Sequence, residues 1–152
     1  MSLKCALTTL VLAIALLEPS AAAAGDYIVS YAFDATTAED YAADRTSDRN
    51  EDGTLRDCSY RVDCTITLPK SDLSISFQIT GPGQRDITIH ADRGGRYSPT
   101  CCYFSDGERH ASRSLAQSPF RLWIFEGRPR KRNEYVQNLP LGLLYLQFSD
   151  LK

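Results

Sequence analysis

Residues 58–91, CSYRVDCTITLPKSDLSISFQITGPGQRDITIHA, carry a period of two in three successive runs. Cys58, Tyr60, Val62, Cys64, Ile66 and Leu68 alternate with Ser59, Arg61, Asp63, Thr65 and Thr67. Leu73, Ile75, Phe77 and Ile79 alternate with Ser74, Ser76 and Gln78, and Ile87, Ile89 and Ala91 alternate with Asp86, Thr88 and His90. Successive side chains of an extended chain point to opposite faces, so each run presents one apolar and one polar face. Pro69-Lys70-Ser71-Asp72 and Gly81-Pro82-Gly83 separate the runs with turn chemistry. The stretch therefore predicts three half-buried strands in an antiparallel meander starting at Cys58, one face on a core and the other in water.

Outward from the meander the same vocabulary recurs. Tyr27 to Phe33 (YIVSYAF) is aromatic and β-branched and reads as a strand, as do Tyr97 to Phe104, Phe120 to Phe125 (FRLWIF) and Leu141 to Phe148 (LGLLYLQF). FRLWIF is apolar on both faces except at Arg121, which marks a central strand or one with exposed aromatics. Thr36 and Glu39 have capping-box spacing ahead of an Ala-rich segment reaching about Arg45, which predicts a short helix. Residues 47–57 read as a polar loop, and residues 106–117 as an irregular or briefly helical crossover. The expected fold is all-β: a small antiparallel β-sandwich or barrel of about seven or eight short strands with one short helix. An α+β arrangement, with that helix on one sheet, is the alternative.

Residues 1–24 form a separate unit. A single charge at Lys4 precedes an apolar run from Cys5 to Leu17, Pro19 breaks it, and Ala22-Ala23-Ala24 supplies a small-x-small site before Gly25. This is the pattern of a secretory signal peptide, and its apolar run of about 13 residues falls short of the roughly 20 that span a bilayer. Residues 25–152 are then one exported β-rich domain, periplasmic or secreted, with no transmembrane span.

The exported part keeps Cys58, Cys64, Cys101 and Cys102, an even number that predicts disulfides. Adjacent Cα atoms lie about 3.8 Å apart, below the usual 4.4 to 6.8 Å of a disulfide, which disfavours a Cys101–Cys102 ring. The expectation is at least one bridge joining Cys58 or Cys64 to Cys101 or Cys102, stabilising by about 3 to 4 kcal/mol. The C-x₅-C and adjacent C-C spacings do not match the C-x₂₋₄-C pairs of zinc sites.

Two surface constellations are candidates for binding. Asp48, Asn50 and Asp52 with Gly53 follow the first half of a calcium loop, with the Thr54 carbonyl and Asp57 completing the set, because Ser59 stands where a bidentate acid belongs. With so few ligands, any Ca²⁺ would bind weakly. Charge is also uneven: residues 34–57 carry a net of minus five and residues 109–132 a net of plus six, on a chain whose overall charge is −2. Arg128, Arg130, Lys131 and Arg132 beside Trp123 predict an anionic surface, polymer or protein as partner, while the near-neutral total argues against a nucleic-acid binder.

Enzyme signatures are sparse. The chain has two histidines, no H-E-x-x-H, no G-x-S-x-G and no phosphate-binding Gly loop. The reading is an exported, non-enzymatic binding module without an organic cofactor. A small hydrolase acting through unidentified carboxylates is the alternative, and a calcium-stabilised extracellular module a third.

Overall fold

The computed structural model describes residues 25–36, 48–94, 101–129 and 139–151. They form β1 (Tyr27–Ala35), β2 (Glu51–Cys58), β3 (Asp63–Leu68), β4 (Leu73–Gln78), β5 (Asp86–Arg93), β6 (Tyr103–Phe104), β7 (His110–Ser114), a 3-10 turn (Leu115–Gln117), β8 (Phe120–Phe125) and β9 (Pro140–Ser149). The strands make two antiparallel sheets, one of order β2-β1-β9-β8-β6 and one of order β3-β4-β5-β7. The chain is thus an all-β sandwich. The expected signal segment and the Ala-rich helix lie outside the described residues.

The meander occupies three neighbouring strands, as its alternation requires. Cys64 pairs with Phe77, Ile66 with Ile75 and Leu68 with Leu73, while Ile75 pairs with Ala91 and Phe77 with Ile89. All of these are buried, and the Ser and Thr residues between them face outward. Asp72 takes a φ of 53° in the β3–β4 turn, a conformation that Asp tolerates better than most residues. The meander begins at Asp63 instead of Cys58, because Cys58 ends β2 in the other sheet.

Two polar segments expected as connections are strands. Residues 51–58 form β2 and residues 110–114 form β7, each at the edge of its sheet. An edge strand needs few buried side chains: β2 gives only Leu55 and Cys58 to the core, and Ala111 alone is fully inward in β7. Their polarity, which suggests loops, also protects the open edges against further pairing.

The five-stranded sheet contributes Val29, Phe33, Leu122, Ile124, Leu144 and Leu146 to the core. Aromatic rings join the layers: Phe148 meets Phe77 of the four-stranded sheet edge-on at 5.1 Å and lies 5.8 Å from Phe120 and 6.5 Å from Tyr27.

The cysteine pairing corrects the expectation. Cys58 bonds Cys64, with Cα atoms 5.5 Å apart, and Cys101 bonds Cys102, with Cα atoms 3.0 Å apart across a cis peptide. Strand order is the reason no bridge joins the two segments. Cys58 ends one edge strand of the five-stranded sheet and Cys101 precedes the other, four strand intervals or roughly 19 Å away. Residues 59–62 fold back, with Arg61 N–H on the Ile79 carbonyl at 2.8 Å and Tyr60 N–H on the Asp26 carboxylate at 2.8 Å. The Cys58–Cys64 bond therefore ties the two sheets where the chain crosses between them, stabilising by about 2 kcal/mol for so short a loop.

The Tyr27 hydroxyl is buried with no hydrogen-bond partner among the described residues. Burial pushes the phenol up to about 12, and the backbone of Ile79 offsets part of this without reaching hydrogen-bond geometry. Tyr27→Phe removes an unsatisfied polar atom and is expected to raise the unfolding free energy by about 1 kcal/mol at pH 7. The sign of the pH dependence follows from the raised value. Below pH 10 the phenol is protonated in both states and contributes no slope; between 10 and 12 only the unfolded phenol ionises, so stability falls. Urea unfolding at pH 7 and pH 11 checks both effects. A Phe variant that is less stable at pH 7, or that keeps the full alkaline loss, contradicts this account.

Candidate functional site

The strands that carry the core on one side build a second apolar surface on the other. In β8, Phe120, Leu122 and Ile124 point inward, which turns Arg121, Trp123 and Phe125 to the outer face. In β9, buried Gly142, Leu144, Leu146 and Phe148 likewise turn Leu143, Tyr145 and Gln147 outward, while Leu141 packs in part against the core. Register brings these rows together: Arg121 lies opposite Tyr145, Trp123 opposite Leu143 and Tyr103 opposite Phe125, while Ala32 of β1 flanks Tyr145 on its other side.

The result is a sheet face of aromatic and aliphatic side chains mixed with guanidinium groups. Trp123 is 42% exposed, an unusual state for the largest apolar side chain. The Arg121 guanidinium carbon stands 5.6 Å from the centre of the Tyr145 ring, and that of Arg109 stands 5.6 Å from the Tyr103 ring. Such contacts favour a cation over the electron-rich ring face and hold the guanidinium in place. Arg109 also donates to the Cys101 carbonyl at 3.0 Å, so its position is fixed by the segment that carries the vicinal disulfide. Arg121 has no carboxylate within ion-pair distance among the described residues. Beside Tyr145, a shallow groove of about 310 Å³ is lined by Ser30, Tyr31, Ala32, Pro119 and Gln147.

The basic segment follows this face in the sequence. β8 runs from Arg121 through Trp123 and Phe125 directly into the Gly127–Asn133 stretch. Glu126, the single acid of residues 109–132, is engaged by Arg93 at 3.0 Å, which leaves the local excess of positive charge uncompensated from that side. Arg128 is exposed, lies against Gly107 and approaches Glu108 only to 3.8 Å. A surface pair of that kind contributes little. Arg130, Lys131 and Arg132 lie outside the described residues.

The expected calcium ligands are not brought to one point. Asp52 and Thr54 are outward residues of the extended β2, and Asp57 follows Asp52 by five positions, roughly 16 Å along a strand. Gly53 makes no tight turn. It pairs with Tyr31, whose ring lies over it, so its missing side chain serves close packing. The Asn50 side-chain oxygen accepts from Ala35 N–H at 2.9 Å, and the Lys70 ammonium donates to the carbonyls of Asp48 and Asn50 at 3.3 and 3.2 Å. An ammonium group thus already sits against the backbone of Asp48 and Asn50. Among the described residues no group of three His, Cys, Asp or Glu side chains could hold a metal ion.

Sequence reasoning singled out Trp123 and Arg128 but did not join Arg121 to Tyr145. The two are 24 positions apart, and only the β8–β9 register pairs them. Comparison with protein-family models, characterised proteins and solved structures returned no match.

Proposed function

We propose that the chain is an exported, non-enzymatic binding module that holds an anionic polysaccharide on the outer face of the five-stranded sheet. The observation that carries this reading is the exposed Trp123 in one surface with the Arg121–Tyr145 stack, at the head of a basic segment. Sugar rings present apolar C–H faces that pack flat on aromatic rings, whose faces are electron-rich. Uronic or sulfate groups on the same rings suit guanidinium, which recognises planar oxyanions through paired hydrogen bonds. A flat sheet row of ring, guanidinium and ring fits a repeating polymer better than it fits a compact solute. Export is supported by the signal-like residues 1–24 and by the two disulfides.

The test is retention on an immobilised polyuronate compared with a neutral glucan of similar length. Retention of the wild type on the polyuronate alone, weakening steeply as salt shortens the screening length below about 8 Å, is expected. Trp123→Ala and Arg121→Ser should each weaken binding by about tenfold or more, as truncation of a central aromatic or Arg anchor does. Equal retention on the neutral glucan, or no loss in either variant, would overturn the proposal.

A further inference from the structure

The opposite outer face, that of the four-stranded sheet, is built from hydroxyls, amides and carboxylates. Thr65, Thr67, Ser74, Ser76, Gln78, Thr88 and Ser112 carry no chemistry of their own there. The chain's two histidines are different. They are 20 positions apart in sequence, yet His90 of β5 and His110 of β7 are direct cross-strand partners on this face, both exposed, with ring centres 6.1 Å apart and planes tilted by 41°.

We propose that His90 and His110 together form a binding site for a divalent transition-metal ion of the Cu²⁺, Ni²⁺ or Zn²⁺ class. Imidazole nitrogen binds such ions at about 2.0 to 2.1 Å, which puts each ring centre about 3.2 Å from the metal. Two rings can share one ion only if their centres come within about 6.4 Å, the value for nitrogens on opposite sides of the metal, and at a tetrahedral angle within about 5.2 Å; the 6.1 Å separation is inside the first limit and about 1 Å from the second. Bending the nitrogen–metal–nitrogen angle towards tetrahedral needs only side-chain rotation, which two exposed rings on a rigid pair of strands can make. The strands hold the two Cα positions in register, so only the two side-chain rotamers remain to be ordered when the metal arrives.

The donor set decides the ion. Two neutral nitrogens suit borderline metals, whereas Ca²⁺ and Mg²⁺ require a shell of oxygens. No third His, Cys, Asp or Glu completes the site among the described residues, so the remaining coordination positions are left to water or to an incoming ligand. They open beside a groove of about 380 Å³ that runs from His90 past Thr88 and Gln78 to Asp63 and Asp86. This site lies on the other sheet from the aromatic face, and it stands or falls independently of polysaccharide binding.

The experiment uses the untagged, disulfide-bonded protein titrated with CuCl₂, ZnCl₂, CaCl₂ and MgCl₂, followed by calorimetry and, for Cu²⁺, by electron paramagnetic resonance. One equivalent of Cu²⁺ bound with two-nitrogen imidazole hyperfine structure, weaker Zn²⁺ binding and no Ca²⁺ or Mg²⁺ binding are expected, following the Irving–Williams order. His90→Asn and His110→Asn should each weaken Cu²⁺ binding by at least about tenfold, and the double variant should be no worse than the singles, because either loss breaks the chelate. Circular dichroism of the variants should match the wild type, since both positions are on the exposed polar face. Absence of one-equivalent binding, or binding that survives both single substitutions, overturns the site.

Discussion

Gly142→Ala is expected to destabilise the protein by about 3 kcal/mol, and Gly142→Val by more, from a single added carbon or three. Gly142 is buried near the start of β9, paired with Ala35 on one side and Ile124 on the other. A Cβ built there meets the Phe33 ring and stands 2.5 Å from the Asp34 carbonyl oxygen. A flexible side chain could yield, but Phe33 is fully buried and the carbonyl belongs to the neighbouring strand. The end of β1 and the Phe33 ring must therefore move to admit the atom. Gly81→Ala and Gly83→Ala are the controls: a Cβ at either meets nothing within 4 Å, and both should stay within about 0.5 kcal/mol of the parent. Urea denaturation of the three Ala variants checks the ranking. A Gly142→Ala protein as stable as the other two contradicts the packing described for β1 and β9.

Phe77→Ala has the second large effect, about 3 to 5 kcal/mol. The Phe77 side chain is almost completely buried and meets Phe148 edge-on, and Phe148 in turn touches Phe120 and Tyr27. Truncation removes an aromatic contact between the meander sheet and the five-stranded sheet, and a rigid sandwich collapses only in part to fill the space. Phe77→Leu keeps most of the volume and should cost less than half as much. A loss of under about 1 kcal/mol for Phe77→Ala would mean that the two sheets are not joined through this ring.

The meander could be read from the sequence because each of its strands has one dry and one wet face, and the alternation records which is which. Cys64, Ile66, Leu68, Leu73, Ile75, Phe77, Ile87, Ile89 and Ala91 are all inward residues of β3, β4 and β5. The edge strands β2 and β7 could not be read, since an edge buries too few side chains to imprint a period. Cysteine pairing was illegible for a different reason. Chain distance says nothing of the sheet edge on which a residue falls, and Cys58 and Cys101 fall on opposite edges. In the candidate site, Trp123 was conspicuous as an aromatic beside a basic run. Arg121 and Tyr145 were not, because their meeting depends on the β8–β9 register, which shifts at Ile124/Phe125. The calcium pattern shows the converse hazard: Asp, Asn and Gly at loop spacing also suit a polar edge strand whose glycine makes room for Tyr31.

Trp123 is the single tryptophan of the chain, so emission excited on the red edge, where the eight tyrosines do not absorb, reports the proposed binding face. The most direct measurement is a titration of the wild type with a defined uronic-acid oligosaccharide, at low and at high salt, with the matching neutral oligosaccharide as reference. The account predicts a saturable change in Trp123 emission with the acidic oligosaccharide, a weaker affinity at high salt, a further loss in Arg121→Ser, and no saturable change with the neutral sugar. Binding detected by calorimetry that leaves Trp123 emission unchanged, or no binding of the acidic oligosaccharide at low salt, would contradict it.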